Sequence, residues 1–372
     1  MKCLYIGRGV VEGIKCGGEM YSGQNIQLLI ECFGKDNVDV IQAIPYNNTS
    51  KRIKDKILYL YLLFRFNYLM GINKDVISKI IEAISKKKYD IVFVDGSPIG
   101  CVVEKIKSVN SDVKIFVFFH NIEVDLIKKI GGLRSRVLKG AIEYNELIAA
   151  KYADRVLVLN ERDMILFKKY YANSEKISCL PMGLKDRLQI SYKKKEGVDG
   201  DKLTMLFVGA NYKPNVEGVD WFVNEVMPNV NATLYIVGKQ MEVFKYKWQN
   251  ENVKVIGSVD DIDSYYISVD LVIEPIFSGG GMKTKTAEAL MFGKRILGTK
   301  EAFEGYDIDG VNSCVVCNEK KDYIKQIKRF ENKRIKYFSD SRELYRRKYS
   351  FDNLVSRLKK IVEDTVGYYA YK

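Results

Sequence analysis

Pro275-Ile-Phe-Ser-Gly-Gly-Gly-Met-Lys-Thr-Lys-Thr-Ala-Glu288 is the stretch on which the reading of this chain turns. It follows an apolar run at 271–273 and precedes a segment of helical period at 284–292. A glycine triplet before a helix start exposes backbone N–H groups at the positive end of the helix dipole. Glycine also lets the backbone approach a ligand closely. Gly279, Gly280, Gly281, Met282 and Thr284 therefore read as a cradle for phosphate oxygens, with Lys283 and Lys285 adding mobile positive charge. Glu288 falls one helical turn beyond Lys285, where a carboxylate can accept hydrogen bonds from a ribose diol. A surface turn with solvated lysines is the plain alternative. Placement between a strand and a helix favours the phosphate site.

Working outward, strand-length apolar runs alternate with segments of helical period. Runs at 2–6, 38–44, 91–94, 114–119, 155–159 and 177–180 form a first set. Runs at 204–208, 232–237, 253–256, 271–273, 295–298 and 313–316 form a second. Helical patterns fall at 22–33, 75–87, 99–109 and 140–152, then at 216–226, 262–268, 284–292 and 322–330, with one or two helices over 341–366. Continuous Val/Ile/Phe strands separated by helices imply parallel sheets covered on both faces. The expected fold is thus α/β, with two doubly wound, Rossmann-like domains facing a central cleft. Ligands bind such sheets at the carboxyl ends of their strands. The expected division is 1–185, a polar linker at 186–202, a second domain at 203–345, and a C-terminal helix within 346–372 that returns to the first domain.

Composition agrees with an ordinary globular chain of two domains: 372 residues, 47% hydrophobic, 29% charged, six prolines. Seven scattered cysteines argue for free thiols in a reducing, cytoplasmic compartment rather than a disulfide framework. Cys314-Val-Val-Cys317 has metal spacing but no second pair, so a buried strand is the better reading. No secretion signal or membrane span is expected from the opening strand pattern or from the longest apolar run, 57–64. Net charge is +13, which fits nucleic acid, anionic membrane or phosphorylated small molecules.

The motif order resembles family 4 glycosyltransferases of GT-B fold. Phe207-Val-Gly-Ala-Asn-Tyr-Lys-Pro-Asn-Val-Glu-Gly-Val-Asp-Trp-Phe222 looks like the opening of that family's donor domain, with Tyr235-Ile-Val-Gly-Lys239, Val253-Lys-Val-Ile-Gly-Ser-Val259, the glycine-rich stretch and Glu304-Gly305 following in sequence. The resemblance covers about 203–316 well and the first domain loosely. It implies retaining transfer from a nucleoside diphosphate sugar, a co-substrate rather than a cofactor, without a bound metal. In its terms Lys213, Lys283 and the Gly279–Gly281 amides stabilise the diphosphate leaving group, an electrostatic role. Gly209, Asn211, Gly238, Gly257 and Val259 line the donor, and Glu288 holds the ribose. One departure stands out. Many members carry a glutamate eight residues before Glu288, where this chain has Gly280, as in the glycine-rich branch of the family. Glu274 is a candidate replacement.

In the first domain, Gly13-Ile-Lys-Cys-Gly-Gly-Glu-Met-Tyr-Ser-Gly23 resembles the family's acceptor-side loop and assigns Gly17 and Gly18 to it. His120, the only histidine, ends a strand where ligands gather, and is expected to position or hydrogen-bond substrate as a neutral imidazole. Asp261/Asp263 and Asp307/Asp309 mimic a metal-binding aspartate pair, but Asp before a helix is a good N-cap. Residues 51–70 join a basic head to an aromatic, apolar body, which suits either an anionic membrane interface or a core-packed helix with a solvated basic end. The expected acceptor is a saccharide or lipid-linked sugar of bacterial surface polysaccharide synthesis. A sugar-nucleotide epimerase would need more acids and histidines, and a phosphorylase a longer chain. No nucleic-acid recognition element and no G-x-G-x-x-G after a first strand accompany the charge.

Overall fold

The computed structural model describes residues 1–8, 17–43, 53–171, 175–188, 195–198 and 201–367. The chain forms two compact units, one comprising Met1–Pro181 and Leu354–Lys372, the other Met182–Asn353. Each is built on a six-stranded, wholly parallel sheet.

The first sheet contains β1 (Cys3–Gly7), β2 (Val38–Gln42), β3 (Ile91–Asp95), β4 (Lys114–Phe119), β5 (Arg155–Val158) and β6 (Ile177–Cys179), in the order β2-β1-β3-β4-β5-β6. The second contains β7 (Leu203–Val208), β8 (Ala232–Val237), β9 (Val253–Gly257), β10 (Leu271–Glu274), β11 (Arg295–Gly298) and β12 (Cys314–Val316), ordered β12-β11-β10-β7-β8-β9. Every residue of β1, β3, β7 and β10 is buried. That is the physical content of the continuous apolar runs: both faces are covered, so no polar face alternates. Each fully buried Val, Leu, Ile or Phe contributes roughly 1.5–3 kcal/mol. The order reverses at β1/β3 in one sheet and at β7/β10 in the other. Those two points, at the carboxyl ends of the strands, are where doubly wound sheets leave a crevice.

Several boundaries differ from the pattern in the sequence. A helix starts at Gly17 and runs to Phe33, so Gly17 and Gly18 open a helix rather than lying in a loop. Residues 13–16 of that expected loop fall outside the described residues. Glycine in a helix costs only about 1 kcal/mol relative to alanine, too little to delay the start. The helix Lys213–Trp221 begins three residues early because Pro214 suits a first turn, and it ends in a π turn, Phe222–Val226. Of the expected linker, the described residues 186–188 belong to the second unit, as does Leu184, which bridges to Ser350. The helix Phe351–Val366 enters the first unit from Leu354 onward. There Arg155 Nε donates to Thr365 Oγ1 at 2.9 Å.

Cys314 lies on β12, and both it and Cys317 are buried. The six cysteines described are free thiols. Among the described residues no group of three or more His, Cys, Asp or Glu is placed to hold a metal ion, and no helix is long and apolar enough to cross a membrane.

Candidate active site

In the second unit the loops after β7 and β10 converge at the order reversal. Gly209 follows β7. A Cβ there would lie 2.9 Å from both the Asn215 amide nitrogen and Lys285 Nζ, so glycine leaves room for those two side chains to meet. Lys285 Nζ donates to Asn215 Oδ1 at 2.7 Å, and Asn215 Nδ2 donates to Ala210 O at 2.8 Å. The ammonium also sits 4.4 Å from the centroid of Phe207, a favourable cation–π arrangement. Burial pushes the Lys285 ammonium below its ordinary range, and the carboxyl of Glu274 opposes that shift. Lys285 is thus a half-buried cation held by neutral neighbours at the start of the helix Thr284–Met291.

The glycine loop supplies the backbone part. Gly279 and Gly281 have φ of 143° and 63°, conformations that a side chain disfavours. Gly279 and Gly280 are exposed, while Gly281 and Met282 are buried against the loop's base. Thr284, half-buried, is the first residue of the helix, whose N-terminal amides and dipole favour an anion. Lys283 is less available than its sequence position suggested. Its Nζ donates to Gly281 O at 2.9 Å and to Glu301 Oε1 at 2.8 Å, and only 12% of its side chain is exposed. Lys213, by contrast, is 82% exposed, with only Glu217 near it at 3.7 Å.

Glu288 lies on the same helix with 13% of its side chain exposed. Arg187 Nη2 donates to its Oε1 at 2.9 Å and Tyr266 O–H to its Oε2 at 3.2 Å. Arg187 Nε in turn reaches both carboxylate oxygens of Asp263 at 3.1 Å. The pair of aspartates that mimics a metal site is therefore used otherwise: Asp263 binds Arg187, and Asp261 Oδ1 caps Ser264 N at 3.1 Å. Asp307 pairs with Lys348. Each oxygen of Glu288 keeps a second lone pair for a ligand hydroxyl.

The remaining donor-side residues line neighbouring loops. A Cβ on Gly238, at φ 152°, would fall 2.0 Å from Gly209 O, so the loops after β7 and β8 touch through backbone only. Asn211, exposed, donates its N–H to Lys239 O at 2.9 Å. Gly257 ends β9 with Val259 half-buried two residues on.

The first unit carries its own polar cluster at its own order reversal. Asp95 ends β3 and is fully buried. Tyr5 O–H donates to Asp95 Oδ2 at 2.6 Å and Asn25 Nδ2 to Oδ1 at 2.7 Å. His120 Nε2, just beyond β4, lies 3.0 Å from Oδ1. Burial opposes ionisation, but His120 and the hydroxyls of Ser22 and Tyr5 outweigh it and bring the carboxyl down to about 2. His120 is packed edge-on against Phe118 at 4.9 Å, with 20% of its side chain exposed. Glu146, fully buried, accepts from the N–H groups of Glu123 and Val124 at 2.8 and 3.1 Å and so anchors the segment after His120.

Asn215, Asp95, Arg187 and Tyr266 were not singled out in the sequence. A carboxylate at a strand end, Val94-Asp95-Gly96, was a legible signal, and Asn215 stood inside a quoted motif. Arg187 gave none, because its partner is 101 residues away.

Two parallel, doubly wound sheets of this kind define the GT-B architecture of two-domain glycosyltransferases. Residues 202–332 match the family model described as Glycosyl transferases group 1. Among proteins of similar sequence is an uncharacterized 44.6 kDa protein in the cps region of Klebsiella pneumoniae, 23% identical over 267 residues, 67% of each chain. Among solved structures, Anabaena Alr3699/HepE in complex with UDP is similar over 98% of this chain and 100% of its own, at TM-score 0.70 and 14% identity. The lipopolysaccharide outer core galactosyltransferase WaaB in apo form is similar over 98% and 99%, at TM-score 0.66 and 14% identity. The structural likenesses establish the fold. Together with the match over 202–332 they support a glycosyltransferase of GT-B architecture.

Proposed function

We propose that this chain transfers a sugar, with retention and without a bound metal, from a nucleoside diphosphate sugar to a saccharide or lipid-linked acceptor in bacterial cell-surface polysaccharide synthesis. The observation that carries the reading is the convergence at β7/β10 of Lys285, its neutral supports Asn215 and Phe207, the glycine-loop backbone and Glu288. A half-buried cation on a helix start stabilises the negative charge that grows on a departing diphosphate. Glu288, held by Arg187 and Tyr266, is the ribose anchor. The Alr3699/HepE structure holds UDP, and the Klebsiella relative lies in a cps region, both in keeping with this assignment.

His120 serves the acceptor side. Ionised Asp95 fixes its ring, leaving the imidazole to hydrogen-bond a sugar hydroxyl, and same-face attack needs no general base from it. The protein acts in the cytoplasm, at the inner face of the membrane. The helix Ile53–Phe66 turns Ile57, Leu60, Tyr61 and Phe64 outward, 61%, 43%, 52% and 69% exposed. Residues 51–88 carry ten Lys/Arg against three acids, a balance that suits anionic lipid.

Thermal-shift and donor-hydrolysis assays with a panel of nucleoside diphosphate sugars test the assignment. At least one donor is expected to stabilise the protein and to be turned over. If the folded protein responds to none, the enzyme reading fails. Glu288→Ala is expected to raise the donor KM about ten- to a hundredfold, the worth of one or two charge-assisted hydrogen bonds, with a smaller effect on kcat. An unchanged KM would move the ribose elsewhere.

A further inference from the structure

Glu274, expected from the sequence to replace a missing sugar contact, is instead completely buried at the end of β10 beside the glycine loop and is withdrawn from the donor sugar. Its Oε2 lies 2.6 Å from Thr286 Oγ1, and that hydroxyl is also 3.0 Å from Ala302 O. A threonine hydroxyl has one proton to give. A carboxylate and a carbonyl can only accept, so an ionised Glu274 would leave one of these two contacts without a proton. A carboxylic acid satisfies both. In that form the Oε2–H would donate to Thr286 Oγ1, freeing the threonine proton for Ala302 O. Glu274 Oε1 has no hydrogen-bond partner among the described residues. Burying an unpaired carbonyl oxygen costs far less than burying an unpaired carboxylate oxygen, which argues the same way.

We propose that Glu274 is held as the neutral acid and is a positioning residue of the diphosphate cradle, its proton tying the end of β10 to the first turn of the helix Thr284–Met291. The inference rests on the reading of that loop as a nucleoside diphosphate site. It assigns the cradle a second requirement: the carboxyl beneath it stays uncharged, so that the positive charge of Lys285 is left for the ligand.

Lys285, Lys283 and Glu288 are the charged groups that act on Glu274 most strongly. Tyr266, Tyr323 and Cys314 also lie within its electrostatic reach, and burial holds all three in their neutral forms, the thiol at about 12. Burial raises the Glu274 carboxyl to about 7, against the pull of Lys285, Thr286 and Lys283. The folded protein therefore keeps this proton to higher pH than the unfolded chain. The stability that goes with the neutral acid is full below the ordinary glutamate range and is lost as pH rises through about 7. Above that point a carboxylate beneath Lys285 competes with the diphosphate for its charge.

Two measurements decide it. In protein labelled with 13C at the glutamate carboxyls, the resonance missing from Glu274→Gln identifies Glu274. Its titration in the unliganded wild type is expected well above the ordinary glutamate range. A midpoint at or below that range overturns the proposal. Calorimetry with UDP-glucose, whose phosphates do not titrate near neutrality, gives the second reading. Wild-type affinity is expected to fall about threefold between pH 5.5 and 7.5, below the value of about 8 at which Lys285 itself titrates, on the order of a partly developed charge interaction at a half-exposed site, and this slope is expected to shrink in Glu274→Gln. Glu274→Ala, which removes the tie, is expected to bind weakly at both pH values, with Glu274→Gln restoring most of the loss. Equal slopes in wild type and Glu274→Gln overturn the positioning role. If UDP-glucose fails to bind the wild type at any pH, it is the donor assignment that is challenged, and the carboxyl titration still decides the state of Glu274.

Discussion

Lys285→Met is expected to lower donor turnover by about two to three orders of magnitude, the usual cost of removing one preorganised electrostatic group from a transition-state site. The magnitude follows from where the ammonium is held. Its nearest supports are the Asn215 carbonyl oxygen at 2.7 Å and the Phe207 ring at 4.4 Å, both uncharged. No carboxylate lies in ion-pair contact with it among the described residues. Its charge is therefore not spent on a partner, and at a half-buried position it acts through a lower dielectric than water. Lys283 is the built-in comparison. It has the same chemistry two residues earlier, but its charge is already engaged by Glu301 at 2.8 Å. Lys283→Met is expected to cost less turnover than Lys285→Met and to loosen the glycine loop by freeing Glu301. Methionine matches the lysine stem, so folding is expected to survive with a drop in Tm of a few degrees from the unpaired Asn215. Steady-state kinetics alongside Tm separate the two effects. Full activity in Lys285→Met would place the diphosphate elsewhere.

Asp95→Ala is expected to produce the largest loss of stability in the first unit, about 3–5 kcal/mol, because it removes the acceptor shared by Tyr5, Asn25 and His120 from a buried cluster. Tyr5 and Asn25 lose their acceptor, and His120 loses the carboxylate that orients its ring. The pH dependence has a definite sign. The Asp95 carboxyl is held down at about 2 in the folded protein, whereas an aspartate in an unfolded chain titrates near 3.9. Its contribution is therefore present above the unfolded value and is lost as pH falls through the folded one, and linkage puts it at roughly 2.5 kcal/mol. The gap in Tm between wild type and Asp95→Ala is expected to be widest near neutrality and to narrow below about pH 4. A gap that does not change with acidification would mean that Asp95 is not ionised against His120. Loss of acceptor use without loss of donor hydrolysis in a folded Asp95→Asn variant would assign the cluster to the acceptor side.

Much of this was legible along the chain, for a physical reason. A parallel strand buried on both faces must be apolar throughout, so strands such as β1, β3, β7 and β10 stood out as runs, and three, at 114–119, 232–237 and 295–298, have the limits the runs indicated. The glycine loop was legible because positive φ and close backbone approach leave few residues other than glycine. The second domain's motifs pointed to a phosphate site because a strand end, a loop and a helix start are contiguous in sequence.

Side-chain availability was not legible. Lys213, Lys283 and Lys285 look alike in sequence, yet one is solvated, one is paired and one is a half-buried cation on neutral supports. Arg187 sat in a stretch that read as linker, and only the folded second unit brings it to Asp263 and Glu288. Asp95 and His120 are 25 residues apart and meet because β3 and β4 are neighbours in the sheet. The sequence by itself determined two doubly wound parallel sheets and a glycine loop between a strand and a helix, since periodicity and glycine are local properties. Which lysine keeps its charge for a ligand, which carboxyl ionises and which stays neutral were decided only by tertiary structure, because burial and charge partners come from residues that the chain order keeps far apart.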